Sequence, residues 1–426
     1  MKKKVGIIGG GIAGLTSAYF LSLKGFEVFL FEKEKSLGGL ARGFSFPDWR
    51  WKLEGTVHHI FANDKEILDF SKQIGFNKFF FNSPITGSLY LKKKAIFLPL
   101  DTPVDFLKFP FLSLKEKIRA AFVLGFLKLL PFLNFYEQVE SLYFLEKFMG
   151  RKATDILWKE LFRKKFGKYA GKILLSFFWA RIKKRTKRLG YPKGGFQAFV
   201  DHLEKQFLLL GGKVFKGVEV VSVEGKKGSF RIVSKKGSWV ADKVIFSLQM
   251  PIVLKIAKKI LPSNFIKKMK RINYLNAVSL ILETDRPVVD DFYWVNVVSE
   301  KLPFMGIFQH TNFVSSKHYA SSHIAYIGWY CRESEFFYKA GERQLLDFVL
   351  PYLRKIGFKG RVKRHLVFKA PFAQPIFDQY FVKQKLSCKL PVKNLYFSGF
   401  ELSYPYDRGT NYAVKVGRRV ADLIVG

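Results

Sequence analysis

The chain has 426 residues, 48% of them hydrophobic, which is enough for two domains with proper cores and excludes a largely disordered protein. Two cysteines, Cys331 and Cys388, exclude a disulfide framework, and no uninterrupted apolar run reaches the roughly 18 residues of a membrane-spanning helix. The 73 Lys and Arg against 34 Asp and Glu give a net charge of +39, enough to draw polyanions from a distance, although a genome's nucleotide bias toward Lys and the 47 Phe would leave the same mark.

The opening residues admit two readings. Lys2, Lys3 and Lys4 ahead of an apolar stretch have the layout of an export signal. Against it, the run Val5 to Ile8 leads straight into Gly9-x-Gly11-x-x-Gly14, with Ala13, Leu15, Ala18 and Leu21 following at helical spacing. That is strand, tight turn, helix. Gly9 allows the turn, Gly11 lets a pyrophosphate come against bare backbone, Gly14 lets the helix pack on the strand, and the first helical amides, Ile12 and Ala13 among them, hold phosphate. A second apolar strand, Glu27 to Phe31, ends in Glu32, with Lys33 beside it, eighteen positions past Gly14, where a carboxylate accepts hydrogen bonds from a ribose. An acid there argues against a 2'-phosphate, leaving FAD or NAD rather than NADP. An export signal has no reason to be followed by such a strand, so the chain reads as cytoplasmic.

Next, "EKSLGGLARGFSF" adds Gly38 and Gly39, then Leu40, Ala41 and Arg42. A nicotinamide dehydrogenase has no need of this pair. A flavin dinucleotide does, because its pyrophosphate and ribityl chain run further along the protein and need another close backbone approach. In "LEGTVHHIFANDKE", His58 and His59 are two of seven histidines; adjacent residues on a strand point to opposite faces, so at most one readily addresses a cofactor, and a buried structural role competes. From about Ser83 to Arg188 the composition turns to Phe, Leu, Lys and Pro with helical character, an inserted helical region. Within it the stretch from Phe106 is apolar on nearly all sides between Ala120 and Leu127, and the stretch from Leu161 to Lys193 has twelve Lys and Arg and no acid. Such a pair suits a helix buried in the domain, or one dipping into an anionic bilayer from its inner face, with an apolar substrate drawn from the lipid.

"GYPKGGFQAFVDHLEKQF" reads as a glycine turn into an amphipathic helix carrying Phe196, Phe199, Val200, Leu203 and Phe207 on one stripe. Short strands with Gly-Lys turns follow, a small meander whose last strand, Lys243 to Leu248, returns to the nucleotide domain. From Pro251 to about Lys385, strand-like runs ("AVSLILE", "HIAYIGWY") alternate with helices. The C-terminal stretch "NLYFSGFELSYPYDRGTNYAVKVGRRVADLIVG" is a strand, an aromatic loop, and a helix beginning near Gly409-Thr410-Asn411. Trp329, Tyr330, Tyr380, Tyr404 and Tyr406 are candidates for aromatic walls of a site, the last two favoured because they precede that helix. Asp407-Arg408 could bind an anionic substrate group or form an ion pair that fixes the loop. No metal-ligand spacing, nucleophile elbow or nucleic-acid recognition motif is present.

Together these pieces resemble the flavin amine oxidase superfamily, which includes protoporphyrinogen oxidases, phytoene desaturases and, more remotely, UDP-galactopyranose mutases. The matching motifs are "GIIGGGIAGLTSAYFL", Glu32, "LGGLAR", "YPKGGFQAFVDHL", "GVEVVSVE", "ADKVIFSL" and "GTNYAVKVG". The resemblance implies an α/β fold with a Rossmann-like, discontinuous FAD-binding domain (1–82, 189–250 and 389–426) and an inserted mixed helix/sheet substrate domain (83–188, helical, and 251–388). It implies Gly9, Gly11 and Gly14 on the pyrophosphate and Glu32 on the adenosine ribose. Gly38, Gly39 and Arg42 would lie on the phosphate and ribityl segment, with the Val220 backbone on adenine. The amides of Thr410 and Asn411, after Gly409, would meet the flavin N1/O2 edge. The superfamily sets an acid directly after the glycine of the C-terminal strand, whereas here Phe400 follows Gly399 and the acid, Glu401, is displaced by one. His58 and His59 lie where the mutases carry a Gly-x-His-x-Phe segment. The implied activity is that of an FAD-dependent oxidoreductase passing a hydride from a small organic substrate to flavin N5, with His58, His59, Tyr404, Tyr406 and Arg408 as catalytic candidates. The alternative is non-redox isomerisation of a sugar nucleotide.

Overall fold

The computed structural model describes residues 2–226 and 228–426. The glycine-rich opening forms β1 (Lys4–Ile8), α1 (Ile12–Leu23) and β2 (Glu27–Glu32). The next stretch departs from expectation. Residues 83–188 open with a β-hairpin, β3 (Ile85–Leu91) and β4 (Ala95–Pro99), before the chain turns helical in α2 (Leu114–Leu129) and α3 (Leu175–Lys184). The reason lies in local composition. "ITGSLYL" is rich in β-branched, aromatic and small residues, and three lysines supply a solvated turn.

Then come α4 (Phe196–Leu209), β5 (Lys213–Lys216), the meander β6 (Val220–Lys226), β7 (Ser229–Ser234) and β8 (Gly237–Ala241), and the returning strand β9 (Lys243–Phe246). The long strands β10 (Tyr274–Thr284), β11 (Phe292–Val297), β12 (Gly306–Gln309), β13 (His323–Cys331) and β14 (Val362–Pro375) precede β15 (Leu395–Phe397) and α5 (Thr410–Val425).

Two sheets organise these elements. The first is parallel, in the order β5-β2-β1-β9-β15, so its strands come from three separate stretches of chain. Its residues alternate between two cores. Val5, Ile7, Leu30 and Ile245 face the helices, whereas Ile8, Phe29, Phe31, Val244 and Phe246 face the meander. Burial on both faces explains why these strands read as continuous apolar runs instead of alternating ones. The helix α4 buries Phe196, Phe199, Val200, Leu203 and Phe207 completely.

The second sheet has seven strands in the order β14-β10-β13-β12-β11-β3-β4, antiparallel except where β11 runs beside β3. It is backed by a helix, Glu342–Lys355, that seats Leu345, Val349 and Leu353 against Leu280, Val295 and Ile327. The helical stretch carrying α2 and α3 extends the core that lies on the meander side of the first sheet. Among the described residues, no helix is long and apolar enough to cross a membrane.

Candidate active site

The carboxyl ends of β1, β2, β9 and β15 meet at one edge of the parallel sheet, the usual place for a ligand in such a fold. Gly9 turns the chain there with φ of +108°, donates its amide to Phe31 O at 2.9 Å, and sits against Ser247 O. The helix α1 begins behind Gly11 with neither a side-chain cap nor an acid in its first turn. Its leading amides, Ile12, Ala13 and Gly14, therefore present an uncompensated positive helix end. Facing them, Gly38 donates to Gly10 O at 2.8 Å, and Gly39 has φ of +58° with its missing Cβ only 3.2 Å from Gly11 Cα. Two stretches of bare backbone thus form a cradle that any side chain at position 39 would fill.

Glu32 terminates β2 and is buried. Its carboxylate accepts from Gly10 N at 2.8 Å and from Glu34 N at 3.0 Å, so it organises the glycine loop and still has lone pairs for a ribose. Glu32 O accepts from Val218 N at 2.8 Å, which sets Val220 two residues beyond this end of the cradle. Lys33 is largely exposed, and Arg42 pairs with Glu34 at 2.5 Å. Ala41 is buried, while Leu40 packs on Ala277, Ala370 and Ala373 and so ties the second glycine pair to the second sheet.

The C-terminal segment closes the crevice. Gly399 leads into Glu401, which is not turned to solvent: Oε1 accepts from Met250 N at 2.8 Å and Tyr274 OH at 2.9 Å, and Oε2 lies buried without a partner among the described residues. Burial pushes its carboxyl up to about 7. Ser398 Oγ and Thr410 Oγ1 are likewise buried and unpartnered. The helix α5 starts at Thr410, after Gly409, with no side-chain cap and no acid in its first turn, leaving its amides free. The Asn411 side chain faces elsewhere and accepts from Ile67 N at 3.2 Å.

Beside this helix start stands a cationic cluster. Asp407 accepts from Lys165 at 2.8 Å and from Arg181, so the ion pair runs to these two bases and not to its neighbour Arg408. Burial alone would raise the Asp407 carboxyl, but Lys165, Arg181 and Arg408 outweigh it and hold it well below the usual carboxylate range. Burial pulls Lys165 down to about 7. Arg408 donates to Ala373 O at 2.8 Å and to Tyr330 OH at 2.9 Å, both neutral acceptors. Three cations therefore stand around one carboxylate, which pairs with only two of them.

The histidines precede a two-residue strand in extended coil, and they part as adjacent residues do. His58 Nδ1 sits 2.8 Å from Thr56 O and its ring lies by Phe196; His59 Nδ1 sits 3.0 Å from Tyr293 OH. Burial lowers them to about 4 and about 3, with Arg408 adding to the first and Arg185 and Arg181 to the second.

Several expected aromatic walls lie elsewhere. Trp329 and Tyr330 are neighbours on β13 and face opposite ways: Tyr330 meets Arg408, while Trp329 stacks on Phe337 in the core behind the sheet. Tyr404 packs on Phe377 and Phe381 and bonds Ser176 Oγ at 2.5 Å, a core position. Tyr380 bonds Lys268 O beneath Arg271. Tyr406 stays at the crevice with Tyr330, stacked on Tyr412 with ring centroids 4.8 Å apart and with Trp179 at 6.2 Å.

A model of flavin-containing amine oxidoreductases matches residues 12–425. The chain belongs to that family. It is an FAD-dependent oxidoreductase by this membership, and the uncapped α1, the Gly11–Gly39 cradle, buried Glu32 and the unpartnered Ser398, Glu401 and Thr410 oxygens fit the dinucleotide. Similar solved structures include reduced UDP-galactopyranose mutase, with a TM-score of 0.78 and 13% identity over 100% of this chain and 94% of that one. A candidate protoporphyrinogen oxidase from Exiguobacterium gives 0.76 and 16% over 100% and 99%, and putrescine oxidase bound to putrescine gives 0.72 and 14% over 100% and 99%. At these identities the likeness is one of fold. The bilirubin reductase of Mediterraneibacter gnavus is 42% identical over 66 residues, which are 16% of this chain and only 10% of that protein.

Sequence reasoning missed Lys165, Arg181 and Tyr412. The first two sit in the acid-free basic stretch, and the signal was that buried bases there need an acid from elsewhere in the chain, which Asp407 provides.

Proposed function

We propose that this flavoenzyme oxidises an organic donor bearing an anionic group, and that Arg408 and its neighbours anchor that group. The observation that carries the reading is the juxtaposition within four residues of Arg408, whose half-buried guanidinium has only neutral hydrogen-bond partners among the described residues, with the uncapped start of α5 at Thr410 and Asn411. Bound FAD supplies a hydride acceptor at N5. The cradle residues Gly9, Gly11, Gly14, Glu32, Gly38 and Gly39 would hold its dinucleotide part, with the backbone of Val220 at the adenine and Glu401 within reach of the ribityl hydroxyls. The α5 amides would hold the flavin edge on which reduction places negative charge.

The remaining residues position the donor. Arg408 and Arg181 offer bidentate donors to a carboxylate, which fixes the donor carbon and lowers the entropy cost of reaction. Tyr406 and Tyr412 exclude water. His58 and His59, neutral at pH 7, serve as hydrogen-bonding groups rather than as acids, with His59 Nδ1 tied to Tyr293 OH.

Anaerobic mixing of the yellow protein with candidate donors, each as carboxylate and as methyl ester, tests the reading. Bleaching of the flavin band by the carboxylate form, weakened at least tenfold in Arg408→Ala at unchanged flavin content, is expected. Equal response to acid and ester would overturn the anchor.

A second reading draws on the same bases. Lys165, Arg181 and Arg185 could hold a diphosphate, as isomerisation of a sugar nucleotide would need. Ring isomerisation that depends on prior flavin reduction would favour it, whereas net donor oxidation with consumption of oxygen or quinone excludes it.

A further inference from the structure

We propose that the outer face of α2 and the loop after it dock on the surface of an anionic lipid bilayer. The sequence suggests an apolar segment here; the side chains define which face is left over. Leu114, Ile118, Phe122 and Leu129 fall on one line of α2 and are 66%, 61%, 76% and 74% exposed, while Ala120, Val123 and Leu127 on the opposite side are buried. Phe132 and Phe135 continue the exposed line past the helix end, and Val104 and Leu107 flank its start. A capping box of Ser113 and Glu116 begins the helix, and Lys117 ties it to Leu107 O at 2.5 Å, so the stripe sits on a fixed element. Sixteen residues make a helix about 24 Å long, which suits lying in an interface and not crossing one.

Charge decides the occupant. Lys128 reaches from α2 to the carbonyls of Ile182, Lys183 and Arg185 at 3.0–3.1 Å, and Lys183 returns a bond to Lys128 O. The basic run is thereby held beside Leu129; within it Lys184 and Arg185 pair with Asp64 and Asp101, so Lys183, Lys187 and Arg188 are the bases offered to the lipid. A second copy would bring the same bases against these, on a chain of net charge +39, whereas an anionic leaflet complements them. The loop also borders the site. Leu130 O accepts from Trp179 Nε1 at 3.1 Å, and the Trp179 ring lies beside Tyr406, so a lipid-borne donor would arrive next to the crevice. That last step rests on the proposed oxidation; the docking does not.

The test is co-sedimentation of the full, flavin-loaded protein with vesicles of phosphatidylcholine alone or mixed with phosphatidylglycerol. Expected is sedimentation with the anionic vesicles, at least tenfold less with the neutral ones, and weakening as salt rises. The double variant Phe122→Glu/Leu129→Glu, which buries no new charge, should lose at least tenfold in vesicle binding while keeping wild-type flavin content. Leu209→Glu, at the exposed C-terminal turn of α4, should change nothing. Should the double variant misfold, Lys183→Gln/Lys187→Gln/Arg188→Gln must weaken anionic binding and flatten its salt dependence. Equal binding to both vesicles, none to either at low salt, undiminished binding of the variants, or a protein dimer that the double variant dissociates would each overturn the proposal.

Discussion

Lys165 and Asp407 are 242 positions apart in sequence and 2.8 Å apart in space. The same carboxylate oxygen serves Arg181, so one acid from the C-terminal loop pairs with two bases of the helical stretch and pins that stretch to the crevice.

Replacing Asp407 by Asn should therefore destabilise the protein by about 3–5 kcal/mol, because it leaves Lys165 buried without a counter-charge. Adding Lys165→Met should recover part of this loss. Denaturant unfolding of the two single variants and the double measures the coupling; strictly additive losses would mean that the pair acts independently.

Gly39→Ala should weaken FAD binding at least tenfold, through a strain of roughly 1–3 kcal/mol at φ of +58° and a methyl group set against Gly11. Gly25→Ala is the control. It has φ of +81° but open space around it, so it should cost stability and leave FAD affinity alone. Flavin fluorescence titration separates the two; equal losses of affinity would remove the cradle argument.

Glu401 gives a pH signature. Its carboxyl is raised from 4.5 to about 7, so between these values the folded chain binds more protons than the unfolded one. Stability from this group consequently falls as pH rises through that window, by an amount on the order of 3 kcal/mol at full ionisation. In Glu401→Gln the amide oxygen can still accept from Met250 N and Tyr274 OH, so the variant should gain on wild type between pH 5 and pH 8. Parallel stability curves for the flavin-free proteins would refute this.

Tyr404 and Tyr406 should behave differently although they are two residues apart. Tyr404→Phe removes one hydrogen bond to Ser176 and should cost about 1 kcal/mol of stability with no change in the rate of flavin reduction. Tyr406→Ala opens the stacked pair with Tyr412 and should change the reduction rate severalfold. Matching kinetic effects in both would contradict their assignment to core and crevice.

The nucleotide half of the molecule was legible because its constraints are local. Gly9, Gly11, Gly14 and Glu32 stand in fixed order along one strand-turn-helix-strand unit, and each does a job set by backbone geometry. The hairpin at 85–99 was missed because Phe and Leu serve strand and helix alike, and its role depends on β11, some two hundred residues later. The aromatic walls failed for a related reason. Trp329 and Tyr330 differ only in which face of β13 they occupy, and composition carries no information on that. The basic cluster needed a partner from the far end of the sequence.

The helix α5 closes on the opening of the chain. Ser17 in α1 donates to Gly417 O at 2.8 Å, and a Cβ at Gly417 would clash with Ala13 O, so α5 lies against the very helix whose amides face the cradle. With β15 it supplies the last wall of the crevice. On the proposed reading, the groove that the opening glycines offer to a dinucleotide is walled by residues nearly four hundred positions away, so residues 4–32 alone would present it open on one side.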